Sequence, residues 1–460
     1  MHESTRRKNK HLYLGVDVGG TKIRALLTKE SGKIVGQKKR PTPREGGPEP
    51  VVAAIEDCIN GVIRKKEISL SDLTAAGIAV PGVVDPKRGV VIAAPNIPLG
   101  GTNLFQLLQQ RINLPLSIGN DANFGALGES WLGAARHTES AMYICVGTGI
   151  GGGLVRRGKL WRGFREAAGE IGHMMIQLEG PICGCGNRGC LEALASRTAI
   201  ELRLREAIVQ GRKTILPQLA DGDLSVIRSS LIHKAIKAGD ELVCQVVRQA
   251  AEILGHACVN IRHLFDPEVI ILGGGLIEAC GDFILPVVQK IVAGDPLPGV
   301  REGGIVRASA LGDNAVALGA VAAARMLVGR DPFKKQRAKT TFPRVSNYEF
   351  GRICIDQKHY TCDVFITAAG KVEQRDRQLA ADYYGSAHIV GPKELEIVCQ
   401  GGPEVLFIGS GAAGVLKLSD EGRRFLEARS IRCEVLPTPE VIERYNCCKL
   451  RKAALLHLTC

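Results

Sequence analysis

Short apolar stretches open the chain, and glycine or polar turns separate them. Residues 12–18 and 23–28 have the apolar pattern of strands on either side of the turn Gly19–Lys22, and a third strand is predicted around 33–38. Residues 51–66 then place apolar side chains at helical spacing. The opening therefore predicts a strand meander followed by a helix.

The next stretch alternates short strands with helices. Strands are predicted at 75–80 and 116–118, a helix at 104–111 between them, and a further helix at 124–131. A second block then repeats the opening pattern, with strands predicted at 141–146, 154–157 and 159–161 around the turn Gly147–Gly153. A duplicated meander followed by helices predicts two α/β lobes that face a cleft.

The rest of the chain divides into a helical part, a linker and a second domain. Helices are predicted from 193 to 262, followed by a strand at 268–272 that enters the turn Gly273–Gly275, and by a helix at 314–328. Residues 329–341 have no apolar period and predict a linker. We therefore expect a basic tail over 1–11, a two-lobed domain over 12–328 with its lobes split near 122–140, and a small α/β domain over 342–460.

Composition and charge narrow the class of protein. The 460 residues are 45% hydrophobic and 23% charged, as is usual for a folded soluble protein. The net charge of +13 is spread along the chain, with small clusters only at 6–10 and 334–339, so we expect no nucleic-acid partner. No apolar stretch is long enough for a transmembrane helix and no signal peptide is recognisable, so we expect a cytosolic protein without a membrane partner.

Two glycine turns, one in each predicted lobe, are suited to binding phosphate. Gly19 and Gly20 allow backbone N–H groups to approach an anion, while Thr21 and Lys22 add a hydroxyl group and a positive charge. The turn Gly147–Gly153 fits the spacing of a dinucleotide fingerprint, but a strand rather than a helix is predicted after it. The pair of turns therefore favours a nucleotide held in a cleft over a dinucleotide.

Asn120 and Asp121 come at the end of a predicted strand, just before a helix. These residue types commonly cap helices, and taken alone the pair favours a cap. An aspartate in a cleft can instead accept the proton of a sugar hydroxyl as its oxygen attacks a γ-phosphate. The neighbouring motifs favour this second interpretation.

A cluster of cysteines follows the second glycine turn. Cys183, Cys185 and Cys190 lie within eight residues, and His173 precedes them by ten. A reducing compartment disfavours disulfides among the 15 cysteines, and a Cys₃His set with interleaved glycines predicts a structural zinc site. Glu170 and Glu192 bracket the cluster and could accept hydrogen bonds from sugar hydroxyls.

Together these motifs resemble the ROK family of sugar kinases and repressors over residues 12–328, and above all its bacterial glucokinases. The resemblance rests on the motifs around Asp17–Lys22, Asn120-Asp121, Gly147–Gly149, Glu170–His173 and Cys183–Glu192. It implies the actin-like, hexokinase-type ATPase fold with two lobes that close on a hexose and Mg·ATP. It further implies a homodimer or larger assembly.

The resemblance also implies roles for individual residues, with Asp121 as the general base. The implied sugar-binding residues are Asn96, Asn120, Asp121, Glu170, His173 and Glu192. The nucleotide side comprises Asp17, Gly19, Gly20, Thr21, Lys22, Thr148, Gly149 and Gly274, with Asp17 also implied in binding Mg²⁺. The implied zinc ligands are His173, Cys183, Cys185 and Cys190.

Two departures from the family pattern leave the sugar open. Glu166 stands where glycine is frequent, and the tryptophan that often follows the Asn96 motif is absent. Glucose is the expected substrate, with N-acetylmannosamine, allose and fructose as alternatives. A sugar sensor without catalysis is a second alternative, although the first strand begins near Leu12 and leaves no room for the DNA-binding domain that ROK repressors carry.

The C-terminal domain carries a second glycine-rich sequence. A strand at 404–408 enters Gly409–Gly414, and Glu434 lies near the offset of a ribose-binding carboxylate, but residues 415–418 separate the glycines from a helix capped by Ser419. The domain resembles the family of a mitochondrial complex I assembly factor, through the glycines and residues 440–446. We expect a module that binds an unknown partner, with no metal at Cys447, Cys448 or Cys460.

Overall fold

A computed structural model describes residues 11–299, 303–333, 342–400, 402–429, 431–448 and 450–459. The chain divides into two compact units, residues 1–337 and 338–460. Most of the expected basic tail and of the expected linker, residues 1–10 and 334–341, lies outside the described ranges, as does Cys460. None of the described helices is long and apolar enough to cross a membrane.

The first unit contains two successive sets of strands and helices. The first set is β1 (Leu12–Val18), β2 (Lys22–Lys29), β3 (Ile34–Pro41), α1 (Pro48–Lys65), β4 (Leu73–Val80), β5 (Val83–Asp85), β6 (Val90–Ala93), β7 (Thr102–Asn103), α2 (Leu104–Gln109), β8 (Leu116–Asn120) and α3 (Asp121–Leu132). The second set is β9 (Ser140–Val146), β10 (Ile150–Arg156), β11 (Lys159–Leu160), α4 (Leu191–Ala195), α5 (Arg197–Val209), α6 (Leu216–Leu219), α7 (Ser229–Lys237), α8 (Glu241–Phe265), β12 (Val269–Gly273), α9 (Gly275–Ala293), β13 (Ile305–Ala308) and α10 (Ala315–Leu327).

The two main sheets of this unit have the same topology. Their strand orders are β3-β2-β1-β4-β8 and β11-β10-β9-β12-β13. In each sheet three antiparallel strands form a meander, and two parallel strands extend it on one side. The predicted duplication of a meander is therefore confirmed, and the strand predicted after the second glycine turn is present as β10.

Helices α3 and α10 pack against each other at glycines. A methyl group on Gly319 of α10 would lie 1.6 Å from the carbonyl oxygen of Phe124 in α3. Strand β1 approaches α10 equally closely, since a methyl group on Gly15 would lie 2.0 Å from the carbonyl oxygen of Ala317. These close contacts hold α3, and with it Asp121 at its first position, against the sheets.

The sequence patterns missed several elements. The small antiparallel sheet β5-β6-β7, the long helix α9 and the edge strand β13 were not predicted. Helix α3 also begins earlier than expected, at Asp121. The third strand begins at Ile34 and extends to Pro41, beyond its predicted end.

The second unit is built around a five-stranded sheet. Its elements are β14 (Val345–Glu349), β15 (Arg352–Ile355), β16 (Lys358–Tyr360), β17 (Val364–Ile366), β18 (Val372–Gln374), α11 (Gln378–Tyr384), β19 (Ile389–Val390), α12 (Pro392–Val398), β20 (Val405–Ser410), β21 (Lys417–Leu418), α13 (Asp420–Glu427), β22 (Arg432–Leu436), α14 (Thr438–Cys447) and β23 (Lys452–His457). The sheet has the order β18-β17-β23-β20-β22, in which β23, β20 and β22 are parallel.

Gly409 ends up inside strand β20, and residues 411–414 of the glycine sequence form a turn after it that is exposed at 412–414. Strand β21 separates this turn from helix α13, and the Ser419 hydroxyl accepts a hydrogen bond from the backbone N–H of Gly422, as the capping prediction requires. Glu434 forms ion pairs with Arg432 and Arg444. These features confirm that the turn does not open a helix in the manner of a dinucleotide fingerprint.

Candidate functional site

The first glycine turn connects β1 to β2 and is fixed by hydrogen bonds to Thr42. The Thr42 hydroxyl donates to the carbonyl oxygen of Gly19 at 2.6 Å, and the Thr42 N–H donates to that of Thr21 at 3.1 Å. Lys22 extends from the same turn and pairs with Asp313 at 2.9 Å. The turn is therefore held in place while Thr21 remains exposed.

The second glycine turn is attached to the start of helix α5. The Arg197 guanidinium donates to the Thr148 hydroxyl at 3.1 Å, and the Thr198 hydroxyl donates to the Thr148 carbonyl oxygen at 2.7 Å. A methyl group on Gly149 would lie 2.2 Å from the Glu192 carboxylate, which accepts a hydrogen bond from the N–H of Ile150 at 2.8 Å. Only glycine at position 149 leaves space for this carboxylate.

A third glycine sequence, which contains Gly274, lies beside the second glycine turn. Gly274 has a φ of +89° and precedes the first turn of α9. A methyl group there would meet the backbone of Val146 at 2.7 Å, just before the second glycine turn. The start of α9, with its unpaired N–H groups, therefore lies beside that turn.

Asp121 is the first residue of α3 and is partly buried. One of its oxygens accepts hydrogen bonds from the side-chain amide of Asn120 at 3.1 Å and from the N–H of Ala122 at 2.8 Å. Burial raises the pKa of Asp121 to about 6, and the negative charge of Glu170 adds to this effect. A carboxyl group with this pKa is mostly ionised at pH 7 and can accept a proton.

Asn120 has both roles that its position suggested. Its side-chain oxygen accepts a hydrogen bond from the N–H of Asn123 at 2.9 Å, so the helix cap is confirmed. Its side-chain nitrogen donates to Asp121 and, at 3.0 Å, to the carbonyl oxygen of Gly82. Asn120 therefore orients the carboxylate of Asp121 as well as capping α3.

Asp17 is the second carboxylate with a strongly perturbed pKa. Burial raises the pKa of Asp17 to about 7, and the negative charge of Asp121 raises it further, while Lys22 and Arg24 act in the opposite direction. Two neighbouring carboxylates whose pKa values are raised favour a cation between or beside them. Their oxygens are the type of ligand that Mg²⁺ prefers.

The remaining residues predicted to bind sugar lie in both lobes. Asn96 is exposed and lies beside the first glycine turn, because a methyl group on Gly20 would contact its Cβ at 3.5 Å. Glu170 caps and His173 ends a single turn of 3₁₀ helix, Ile171–His173. Desolvation raises the pKa of Glu170, and the nearby charge of Glu192 raises it further. Glu170 therefore lies close enough to Glu192 and Asp121 for the negative charges to affect each other's pKa.

The Cys₃His set converges as its sequence predicted. One possible ligand atom from each of His173, Cys183, Cys185 and Cys190 lies within 4.8 Å of all the others. Nδ1 of His173 is 3.6 Å from Cys183 Sγ, and the sulfur atoms of Cys185 and Cys190 are 3.7 Å apart. Four such ligands suit a closed tetrahedral zinc site.

Two residues at the site, Asp313 and Glu278, were missed by sequence reasoning. Asp313 binds Lys22 and accepts a hydrogen bond from Arg24 on its backbone oxygen at 2.9 Å. Glu278 lies in the first turn of α9, and burial together with Asp313 raises its pKa. The sequence offered one weak signal for each residue. Glu278 lies shortly after the glycines Gly273–Gly275, and Asp313 lies just before α10.

Glu166 adopts a backbone conformation that glycine favours. Its φ of +56° lies in the left-handed region, and its carboxylate is 3.6 Å from Arg162. A glutamate at position 166, where glycine is frequent in the family pattern, therefore has a conformational cost of about 1 kcal/mol.

A comparison with protein families matches residues 13–326 to the ROK family. This match spans more than half of the chain. The chain belongs to the ROK family. A second family, described as a protein of unknown function (DUF498/DUF598), matches residues 345–457.

Individual members of the ROK family are similar along the first unit. A glucokinase from Halalkalibacterium halodurans is 34% identical over 67% of this chain and 93% of its own. A xylose repressor from Caldicellulosiruptor bescii is 29% identical over 67% of this chain and 77% of its own. A ROK family glucokinase from Streptomyces griseus, solved in complex with glucose and AMPPNP, is 34% identical with a TM-score of 0.61, covering 68% of this chain and 99% of that one.

These matches confirm the actin-like kinase fold predicted for the first unit. They also confirm that a separate α/β domain follows the ROK family domain. Because a repressor is also similar to this chain, the identity of the sugar and the choice between catalysis and sensing must be argued from the site.

Proposed function

We propose that this protein is a hexose kinase that transfers the γ-phosphate of ATP to glucose, with Asp121 as the general base. Its similarity to ROK family glucokinases, in sequence and in structure, supports an ATP-dependent sugar kinase. The observation that carries the assignment of the base is the partly buried Asp121 carboxylate, whose pKa is raised to about 6 and which Asn120 orients. Such a group is ionised at neutral pH and still basic enough to accept the hydroxyl proton in the transition state.

The proposed reaction divides between the two lobes. Asn96, Asn120, Glu170, His173 and Glu192 hold the sugar hydroxyls, so that one hydroxyl oxygen faces Asp121. Its proton moves to Asp121 as the oxygen attacks the γ-phosphorus and the bond to ADP breaks. Closure of the lobes before this transfer excludes water, which would otherwise accept the phosphoryl group.

We assign the nucleotide to the glycine turns. Gly19, Gly20, Thr21 and Lys22 border the phosphates from one lobe, with Thr148, Gly149 and Gly274 facing them from the other. Asp17, beside Asp121, would hold Mg²⁺, which neutralises charge on the transferring phosphoryl group. Lys22 would have to exchange its ion pair with Asp313 for a phosphate, and its exposed position permits this.

The Cys₃His set would hold a structural zinc ion. In this arrangement Nδ1 of His173 faces the cysteines, which leaves Nε2 for a sugar hydroxyl. Glu192 lies near the same cluster, with its carboxylate 3.8 Å from Cys183 Sγ. Zinc would therefore fix two sugar-binding residues, His173 as a direct ligand and Glu192 as a neighbour of the ligand Cys183.

A panel of hexoses tests the proposed substrate. Purified protein with measured zinc content would be assayed with Mg·ATP and glucose, mannose, fructose, allose or N-acetylmannosamine. We expect the highest kcat/KM for glucose. A higher kcat/KM for another hexose would keep the kinase and change its substrate, whereas sugar binding without turnover of any hexose would favour a sensor.

Cytosolic location, assembly into dimers or larger oligomers and partner binding by the second unit remain predictions. The resemblance of that unit to the family of a mitochondrial complex I assembly factor also remains a prediction.

A further inference from the structure

Three polar side chains lie in a row across the sheet of the second unit. Ser410 is the last residue of β20 and pairs in register with His457, the last residue of β23. On the other side of β23, the register that pairs Val364 with Leu456 places Asp363 opposite His457. Neighbouring strands are about 4.8 Å apart, so the order across the sheet is aspartate, histidine, serine.

The aspartate and the histidine are directly hydrogen-bonded. Nδ1 of His457 is 2.7 Å from a carboxylate oxygen of Asp363, and both side chains are almost completely buried. An ionised carboxylate can only accept, so Nδ1 carries the hydrogen and, in the neutral ring, Nε2 carries the lone pair. Nε2 is buried and has no hydrogen-bond partner among the described residues, so the Ser410 hydroxyl does not donate to it in this structure.

Two arginines keep Asp363 in its ionised form. Arg377 donates two hydrogen bonds to its carboxylate, at 2.8 and 2.9 Å, and Arg375 donates a third at 3.2 Å. Burial alone would raise the pKa of Asp363, but the hydrogen bonds from His457 and Arg377 hold it well below its usual range. Arg375 also pairs with Glu394, so both guanidinium groups are engaged with carboxylates.

Ser410 lies at the point where the chain leaves the sheet. It is 4% exposed, and Gly411, with a φ of +91°, begins the exposed turn that follows. Thr438 connects this turn to β23, because its hydroxyl accepts from the N–H of Gly411 at 3.0 Å and donates to the carbonyl oxygen of His457 at 2.7 Å. His388 packs edge-on against His457, with ring centroids 5.3 Å apart.

Ser410 and His457 also lie at a place in the sheet where ligands commonly bind in open α/β folds. Strand β20 connects through α13 to β22 on one side of it, and the chain then crosses through α14 to β23 on the other side. Ser410 and His457 therefore end two adjacent parallel strands at the point where the strand order reverses. Crevices at the carboxyl ends of such strands are common binding sites.

We propose that Ser410, His457 and Asp363 form a second catalytic site, in which Ser410 attacks the carbonyl carbon of a carboxylic ester or thioester. The Ser410 side chain first rotates so that its hydroxyl donates to Nε2 of His457. The Ser410 oxygen then forms a bond to the carbonyl carbon while its proton moves to Nε2. The proton passes to the departing alcohol or thiol as the bond to the carbonyl carbon breaks. Water, deprotonated by Nε2, then releases the carboxylic acid and restores Ser410.

The chemistry of the surroundings favours a carbonyl substrate over a phosphate. Phosphoryl groups are usually bound by arginine or lysine groups that are available to pair with them. Here Arg375 and Arg377 already bind Asp363 and Glu394. The exposed residues of the neighbouring turn, Ala412, Ala413 and Val415, are apolar and suit an acyl chain.

A fluorophosphonate probe tests the proposal on the full-length protein. The probe forms a stable adduct with activated serines, and peptide mapping by mass spectrometry locates that adduct. We expect an adduct on Ser410 and none on Ser419, whose hydroxyl caps α13. In His457→Gln the labelling rate of Ser410 should fall at least tenfold, with the thermal unfolding of the protein checked in parallel.

A second variant covers the case in which His457→Gln disturbs folding. Ser410→Ala removes one oxygen atom, so p-nitrophenyl acetate hydrolysis by the wild type should be lost in this variant while its unfolding temperature is preserved. Failure of Ser410 to react with the probe in folded protein, or equal hydrolysis by Ser410→Ala, would overturn the proposal. Neither outcome depends on the kinase, whose turnover is measured separately on the same preparation.

Discussion

Adding one methyl group at Gly149 tests how the second glycine turn and the proposed sugar site are connected. In Gly149→Ala the new Cβ would lie 2.2 Å from a carboxylate oxygen of Glu192, whereas ordinary contacts begin at 3.4 Å. The carboxylate must therefore retreat by about 1.2 Å, the difference between these two distances. The backbone itself need not change, because φ at position 149 is not in the left-handed region.

The retreat has two measurable consequences. Glu192 would lose the hydrogen bond that it accepts from the N–H of Ile150 at 2.8 Å, and a hydrogen bond to a charged group contributes about 1.5–3 kcal/mol. A displacement of this size in a substrate-binding residue can reduce kcat/KM up to about 100-fold. We therefore expect Gly149→Ala to lower the unfolding temperature and to reduce kcat/KM for the sugar.

Steady-state kinetics with varied sugar and saturating ATP measure the effect, with Gly147→Ala as the matched control. A methyl group on Gly147 meets nothing within 4 Å, so KM for the sugar should stay within about twofold of the wild type. Glu192→Asp shortens the side chain, so in the double variant with Gly149→Ala the two effects should be less than additive. Wild-type stability and sugar kinetics in Gly149→Ala would refute the reasoning.

Three further predictions concern protonation, metal and packing. Asp121 must be ionised to accept a proton, and burial raises its pKa to about 6, so kcat/KM for the sugar should fall as the pH decreases below about 6. Glu170→Gln removes a negative charge that raises this pKa, so the acidic limb of the pH profile should move to lower pH. An acidic limb at the same pH in Glu170→Gln would contradict the assignment of Asp121. Cys185→Ser removes one proposed zinc ligand, so the zinc content measured by mass spectrometry should fall from one equivalent towards none and KM for the sugar should rise. Removal of the metal by a chelator should have the same two effects. A zinc-free wild-type protein with full activity would contradict the proposed site. Gly319→Ala should destabilise the first unit by about 1–3 kcal/mol, because the new Cβ would lie 1.6 Å from the carbonyl oxygen of Phe124. Gly281→Ala in α9 has no contact closer than 3.5 Å and should stabilise the unit by up to about 1 kcal/mol. Thermal unfolding followed by circular dichroism compares the two variants, and equal stability of both would contradict the packing argument.

Motifs of adjacent residues were predicted well from the sequence. Both predicted glycine turns lie between strands, because glycines flanked by apolar runs define a turn locally. The second turn is shorter than the predicted Gly147–Gly153, since strand β10 already begins at Ile150. The Cys₃His set converges for a similar reason, since its three cysteines lie within one short loop and His173 is only ten residues away.

Elements with weak or interrupted patterns were missed. Strands β5, β6 and β7 contain only two to four residues each, too few for a period to appear. Helix α9 contains Pro286 and a non-helical backbone at Cys280, which interrupt the helical pattern of its sequence. The burial of these elements depends on distant parts of the chain.

Contacts between distant residues could not be predicted at all. Lys22 and Asp313 are separated by 291 positions, yet their ion pair is one of the features that fix the first glycine turn. The row of Asp363, His457 and Ser410 likewise depends on the register of three strands. Neither arrangement leaves a local pattern in the sequence.

Phosphoryl transfer from ATP to glucose by the wild type and by Asp121→Asn tests the central claim most directly. Asparagine keeps the shape of the side chain but cannot accept the proton, and Asp223→Asn, which changes an exposed carboxylate, is the matched control. The account predicts turnover by the wild type and the control, and a loss of about 10²–10⁴-fold in kcat for Asp121→Asn with its unfolding temperature preserved. Wild-type turnover by folded Asp121→Asn would contradict it.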